Sequence, residues 1–320
     1  MIFLREDIRV VFMGTPEFAR ESLKLLYESG YNIVACFTNP DKPSGRGMKI
    51  KYSAVKEYAL EKNIPIYQPK KLRNNEEIIQ KLKELKPDFI AVVAYGKILP
   101  KEILDIPKYG CVNVHGSLLP KYRGAAPMQW ALINGEEKTG ITTMFMDVGM
   151  DTGDMLLKEE LEIKDSYNLE DIHDKLMVIG GNLLVKTLDG IVSGTIKREK
   201  QPQEGTYAPM ISKEMTKIDF NKSAREIFNF VRGLSPFPGT YMQLDDGRKF
   251  KVYDVGYVQD SNINSDIIPG DILFMSKSDL YIRCKDGYII IKTIQPENSK
   301  RMDIKAFIAG NRLNMLDRFI

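Results

Sequence analysis

Histidine is nearly absent from this chain, with two, His115 and His173, among 320 residues. Cysteine is scarcer than a disulfide framework needs. Cys36, Cys111 and Cys284 are odd in number, far apart and without a CxxC spacing. That argues against paired disulfides and a thiolate zinc site, and for a reducing, cytoplasmic setting. No run approaches the ~20 apolar residues of a membrane span. The most apolar stretch covers residues 89–96, so no membrane association is expected. The start, MIFLREDIRV, meets Arg5 too early for the apolar core of a secretory leader. Glycine is short where a nucleotide would need it: FMGTPEFA carries one glycine instead of the three of a dinucleotide fingerprint, and no GxxxxGK[ST] follows. Neither a nicotinamide nor a nucleoside triphosphate cofactor is expected. Net charge is also small, at +3. Residues 206–320 hold 17 Lys/Arg against 14 Asp/Glu, whereas residues 1–205 balance. The weakly basic part is compatible with a polyanionic partner but does not establish one.

What is present alternates. Strand-like apolar runs at residues 9–13, 33–37, 89–94, 111–115 and 141–146, with a short extended segment at 65–67, are interleaved with helical patterns at 53–61, 76–85, 126–133 and 168–188. A further helix is expected to follow the first strand, with Thr15 able to cap it, Pro16 in its first turn and Glu17 at its positive end. Strands alternating with helices predict a Rossmann-like, doubly wound, mostly parallel sheet over residues 1–194. From Thr195 the periodicity fails in a polar stretch, TIKREKQPQEGTYAP, read as a linker over 195–209. Beyond it, one helix at 223–234 precedes four evenly spaced β-runs, which predict a small β-barrel domain over 210–320.

Two segments carry chemistry. In an open parallel sheet, ligands bind beyond the carboxyl ends of the strands. NVHGSLLP (113–120) sits at such an end, and Asn113 and His115, two apart, emerge on one face. An amide and an imidazole aimed at one point can donate to a developing oxyanion or shuttle a proton. MDVGMDTGD (146–154) follows the next β-run and places Asp147, Asp151 and Asp154 in a glycine-rich turn. At least one of these is expected to serve only as a turn or cap residue. A carboxylate beside His115 would favour the charged imidazole and fix its orientation. Amide, imidazole and carboxylate together suit attack of an amine on a carbonyl carbon. A third segment, PDKPSGRGMKIK (40–51), sets Lys42, Arg46, Lys49 and Lys51 against one acid, Asp41. It is read either as a solvated turn or as a phosphate contact. His173 has no comparable company and is expected on a helix surface.

NVHGSLLPKYRGAAPMQWALINGE followed by TGITTMFMDVGMDTGDML closely resembles the folate-dependent formyltransferases. The similarity extends through VVFMGTPEFA, FTNPDKPSGRGMK, VVAYGKILP and a C-terminal segment from TYAPMISKEM to GNRL. The resemblance implies that Asn113, His115 and Asp151 are the catalytic trio and that no metal takes part. It implies a 10-formyltetrahydrofolate donor, its pterin end near Ser117, Leu118, Leu119 and Pro120, near Val92, Tyr95 and Gly96, and near Asp147 and Val148. It implies methionyl initiator tRNA as acceptor, contacted by Lys42, Arg46, Lys49 and Lys51, an OB-like C-terminal barrel adding phosphate contacts, and a monomer.

Two other readings are carried. One keeps the chemistry but formylates an amino-sugar nucleotide. The other is a non-catalytic RNA-binding protein, against which the intact trio argues. A formate-releasing relative joined to a dehydrogenase is not expected, since no such module is anticipated beyond residue 320.

Overall fold

The apolar runs of the first half assemble into one mixed sheet in the computed structural model, which describes residues 4–44, 49–260, 266–310 and 313–320. Its strands are β1 (Arg9–Gly14), β2 (Asn32–Phe37), β3 (Ile66–Tyr67), β4 (Phe89–Val93), β5 (Gly110–His115), β6 (Lys138–Phe145) and β7 (Met155–Glu162). Their spatial order is β7-β6-β5-β4-β1-β2-β3. The first five pair in parallel, while β6 runs antiparallel to β5. Every residue of β4 is buried, as are residues 10–14 of β1. Strands covered on both faces need continuous apolar sequence instead of alternation, which is why FIAVV reads as it does.

Helices α1 (Glu17–Glu28), α2 (Ala54–Glu61), α3 (Glu76–Leu85) and α4 (Lys101–Leu104) connect these strands. Ser53 caps α2 by accepting from the Lys56 N–H, and Asn75 caps α3 by accepting from the Ile78 N–H. The cap expected of Thr15 is not made. Pro16 holds the N-cap position of α1 without a side-chain bond, and Thr15 Oγ1 instead accepts from Asn39 Nδ2 at 3.1 Å. The loop over 40–51 is also more regular than expected. Lys42–Ser44 and Lys49–Lys51 pair as a short antiparallel hairpin, with Lys42 opposite Lys51.

The chain divides into two compact units, Met1–Gly124 with Thr139–Leu161 and His173–Tyr207, and Ala125–Lys138 with Glu162–Ile172 and Ala208–Ile320. Helix α5 (Pro127–Ile133) lies in the second unit, and α6 (Leu169–Val192) ends a turn beyond the expected Leu188. In the second unit α7 (Ala224–Leu234) starts from a capping box between Ser223 and Glu226, a reciprocal pair that satisfies two otherwise orphaned N–H groups.

An antiparallel sheet follows, formed by β8 (Thr240–Gln243), β9 (Lys249–Gln259), β10 (Ile272–Met275), β11 (Leu280–Cys284), β12 (Gly287–Pro296) and β13 (Met302–Asp303), with α8 (Ile304–Gly310) after it. Its order is β8-β9-β12-β11-β10, with β13 on β12. Register shifts at Val252–Val255 bend β9, as bulges do. The two edges are then joined by the last residues. Phe319 bridges to Leu244 beyond β8, and Arg318 bridges to Asp271 before β10. Ile320 N–H donates to the Gln243 carbonyl at 2.8 Å, and Phe319 N–H to that of Gly270 at 2.9 Å. The expected barrel is thus a bent sheet closed by residues 318–320. Ile227, Val231, Met242, Phe250, Ile289 and Phe307 are among the residues that fill it.

Candidate active site

Strand β5 carries Asn113 and His115 to its carboxyl end between two neighbours. Asn113 stands opposite Val92 of β4 and Met144 of β6, and His115 opposite Thr142. The Asn113 amide has no hydrogen-bond partner among the described residues, so its NH₂ remains free to donate. His115 is 5% exposed, and its Nε2 lies 2.9 Å from the Tyr122 carbonyl oxygen. A carbonyl only accepts, so Nε2 must carry the proton. This leaves Nδ1 facing Asp151, whose Oδ2 is 3.7 Å away. That separation lies in ion-pair range but is beyond a direct hydrogen bond.

Asp151 is fixed from both sides. Its Oδ2 accepts from the Gly124 N–H at 2.8 Å, and its carbonyl accepts from Gln201 Nε2 at 2.9 Å. Gln201 Nε2 also donates to the Gly153 carbonyl at 2.8 Å. Asp151 and Tyr122 both hold left-handed backbone, at φ 55° and 61°, a costly conformation for residues with a Cβ. At Gly153 a Cβ would stand 1.8 Å from the Phe145 carbonyl oxygen, so no larger residue fits where this loop returns past the end of β6 to enter β7. Asp147 is the turn residue of the three aspartates. Its Oδ1 accepts from the Gly149 N–H and from Thr152 Oγ1, both at 2.9 Å.

The residues expected around the pterin separate by burial. Asp147 and Val148 are exposed, as is Gly96 at the end of β4, while Leu118 and Pro120 are half-buried. Ser117, Leu119, Val92 and Tyr95 are buried. Leu119 packs with Met144 and Met155, and Val92 and Tyr95 belong to the core around β1 and β4. Ser117 Oγ donates to the Lys121 carbonyl at 2.6 Å. These four side chains support the site's walls instead of presenting themselves at a surface.

In the basic hairpin, Lys42 and Lys51 are exposed. Arg46 lies outside the described residues, and of Lys49 the structure describes the backbone pairing alone. Asp41 has partners of its own outside the hairpin. Lys56 and Gln68 hold it and keep its carboxyl below the usual carboxylate range.

Family models were matched along almost the whole chain: that of formyl transferase over residues 8–188, and that of the formyl transferase C-terminal domain over residues 210–312. The chain belongs to the formyl transferase family. Methionyl-tRNA formyltransferase of Clostridium beijerinckii is 51% identical to it over 306 residues, 96% of this chain and 98% of that protein. The enzyme of the same name from Caldanaerobacter subterraneus is 49% identical over 307 residues, with 96% and 98% covered. Among solved structures, the sugar 3N-formyl transferase WlaRD shares the fold at a TM-score of 0.64 and 20% identity, covering 92% of this chain and 99% of that one. HypX from Aquifex aeolicus in complex with tetrahydrofolic acid shares it at 0.62 and 15%, covering 95% of this chain and 47% of the longer HypX chain.

Three residues of this formyl transferase that touch the trio escaped sequence reasoning, Tyr122, Gly124 and Gln201, as did Arg123, which bonds to Gln201. Arg123 is 8% exposed. Its Nε donates to Gln201 Oε1 at 3.0 Å and its guanidinium to the Pro202 carbonyl at 2.8 Å. Residues 201–206 therefore lie against the site, although their sequence reads as linker. The available signal was slight, an arginine beside glycine in KYRG and two glutamines in a charged stretch.

The three thiols take no part. All are buried, and burial pushes Cys111 up to about 12 and Cys284 up to about 11, with Cys36 raised further. The thiolate is the reactive form, so at neutral pH iodoacetamide is expected to label none of them in the folded chain and all three after unfolding in guanidinium. Mass spectrometry of the alkylated chain reads the count, and native labelling at any one site contradicts the burial described.

Proposed function

We propose that this chain transfers the formyl group of 10-formyltetrahydrofolate to the α-amino group of methionyl initiator tRNA, giving N-formylmethionyl-tRNA. The observation that carries the reading is near-half identity to methionyl-tRNA formyltransferases over 96% of the chain. The amine attacks the formyl carbon, and the carbonyl electron pair moves onto oxygen. The bond from carbon to N10 then breaks as N10 takes up the proton the amine releases, leaving tetrahydrofolate.

The roles assigned to individual residues follow from their donors. Asn113 offers its NH₂ to the oxyanion. Tyr122 engages Nε2 of His115, so the N–H left for the oxyanion or the departing proton is at Nδ1, present when the imidazole is charged. Asp151 Oδ2 faces that nitrogen across 3.7 Å and is assigned to hold the ring in its orientation. Ser117, Leu119, Val92 and Tyr95 are buried, so the pterin end of the folate is expected to meet exposed groups at Ala94–Gly96 and in the 147–150 loop.

Residues 1–194 form the catalytic domain in this reading, 195–209 the connection and 210–320 a further tRNA-binding domain. A monomeric, cytoplasmic enzyme fits the sequence, and no helix among the described residues is long and apolar enough to cross a membrane.

The decisive assay presents the purified chain and 10-formyltetrahydrofolate with charged initiator tRNA in one arm and an amino-sugar nucleotide in the other. Formylated methionyl-tRNA is the expected product, and transfer to the sugar alone overturns the proposal. The basic hairpin is tested separately. Arg46→Ala is expected to raise KM for the tRNA about tenfold and to lower the salt dependence of binding by about one phosphate contact. KM for the folate should not change. A parallel rise in both KM values would mean that the hairpin shapes the site and does not contact RNA.

A further inference from the structure

We propose that Gln201 and Arg123 form a clamp that sets the distance between His115 and Asp151, making Gln201 a positioning residue for formyl transfer. The inference rests on the roles assigned above to Asn113, His115 and Asp151. Two short segments determine where the imidazole and the carboxylate stand. The first is 122–124, in which the Tyr122 carbonyl accepts a hydrogen bond from His115 Nε2 and the Gly124 N–H donates to Asp151 Oδ2. The second is 151–153, whose carbonyls at both ends accept from the two N–H groups of Gln201 Nε2. Gln201 is the bridge between them, since its Oε1 accepts from Arg123 Nε at 3.0 Å.

The bridge has few ways to relax. Arg123 lies between Tyr122 and Gly124 in the chain, and its guanidinium finds neutral acceptors: Gln201 Oε1 and the Pro202 and Gln203 carbonyls. Its backbone N–H donates to the Thr206 carbonyl at 2.9 Å, and the Tyr122 N–H donates to Thr206 Oγ1 at 2.8 Å. One arginine therefore ties 201–206 to the segment that orients the histidine, and one glutamine ties the aspartate loop to that arginine. The left-handed backbone at both Tyr122 and Asp151 persists where surrounding bonds over-determine it. The clamp supplies such bonds to both segments. An amide is the side chain this junction requires, because it must accept from a guanidinium and donate twice to carbonyls.

Gln201→Glu separates these functions. Glutamate keeps, and strengthens, the link to Arg123 but cannot donate to Asp151 and Gly153, so it sets carboxylate oxygens against two carbonyls. The expected result is a folded variant whose kcat falls by about 100-fold, the scale of a ~1 Å misplacement, with KM for folate and for tRNA within about twofold of the parent. Gln201→Ala should behave alike. If the alanine variant fails to fold, the glutamate variant, which retains the Arg123 bond, is read alone.

A spectroscopic signature follows the position of the ring itself. With two histidines in the chain, imidazole ¹⁵N signals are assigned with His173→Gln, and those of His115 are expected to move in Gln201→Glu. Normal kcat, unmoved His115 signals, or a raised folate KM at unchanged kcat would each overturn the clamp. Asn113→Ala, run alongside, distinguishes the two failures. If Asn113→Ala is slow while the Gln201 variants are normal, the clamp alone is wrong. If Asn113→Ala is normal, the site assignment falls and the clamp with it.

Discussion

Asn113→Ala is expected to slow formyl transfer by about 100- to 1000-fold, the effect of deleting one oxyanion donor, or about 2.7–4 kcal/mol of barrier. The size follows from the division of labour around β5. His115 has committed Nε2 to the Tyr122 carbonyl, so the ring can bring one further N–H to the reaction. Asn113 makes no competing hydrogen bond among the described residues and needs no partner to be broken before it acts. For the same reason its loss should change stability by less than about 1 kcal/mol. Asn113→Asp is the sharper companion. It keeps the shape, removes the donor and places a negative charge where another is developing, so it should be at least as slow as alanine. Single-turnover rates of formyl transfer with saturating tRNA are the measurement. Turnover within about tenfold of the parent in Asn113→Ala would remove the oxyanion role from this residue.

Phe319→Ala is expected to destabilise the second unit by about 3–5 kcal/mol, the range for truncating a buried phenylalanine. Phe319 is 1% exposed and lies beside Phe250 and Phe220, with ring centroids 6.1 and 6.3 Å away. Its backbone also reaches both edges of the sheet. Truncation therefore opens a cavity next to the residues that close the barrel. The chain's single tryptophan, Trp130, lies in the same unit, so its fluorescence during urea denaturation follows that unit's unfolding. An unchanged midpoint would show that the closure contributes little to stability.

The parts of the fold that were legible in sequence are those whose cause is periodic. FIAVV reads as a strand because burial on both faces demands it, and EEIIQKLKEL reads as a helix because one stripe is apolar. Asn113 and His115 could be paired from strand periodicity alone. What escaped has no period. Gln201 holds Asp151 by side-chain to backbone bonds, which leave no repeat in a stretch rich in charge, proline and glycine. Proline and glycine in 40–51 argue for irregular backbone, yet 42–44 and 49–51 pair. Thr15 was a reasonable cap by residue type, but Asn39 claims its hydroxyl, and that partner is distant in sequence. Proximity to a strand end does not say which side chains turn inward. Leu119 and Tyr95 turn into the core.

The closure of the barrel by residues 318–320 also bears on when the second unit can become native. Hairpins such as β8 with β9 and β11 with β12 can form as their strands appear, but the ring stays open until residues 318–320 are available. Emergence from the ribosome is N-terminal first, so this unit passes through a stage in which residues 243–244 and 270–271 wait for the same three partners. Unpaired edges are templates for pairing with other chains. The interval before Phe319 seats is therefore a stage at which this unit is exposed to aggregation.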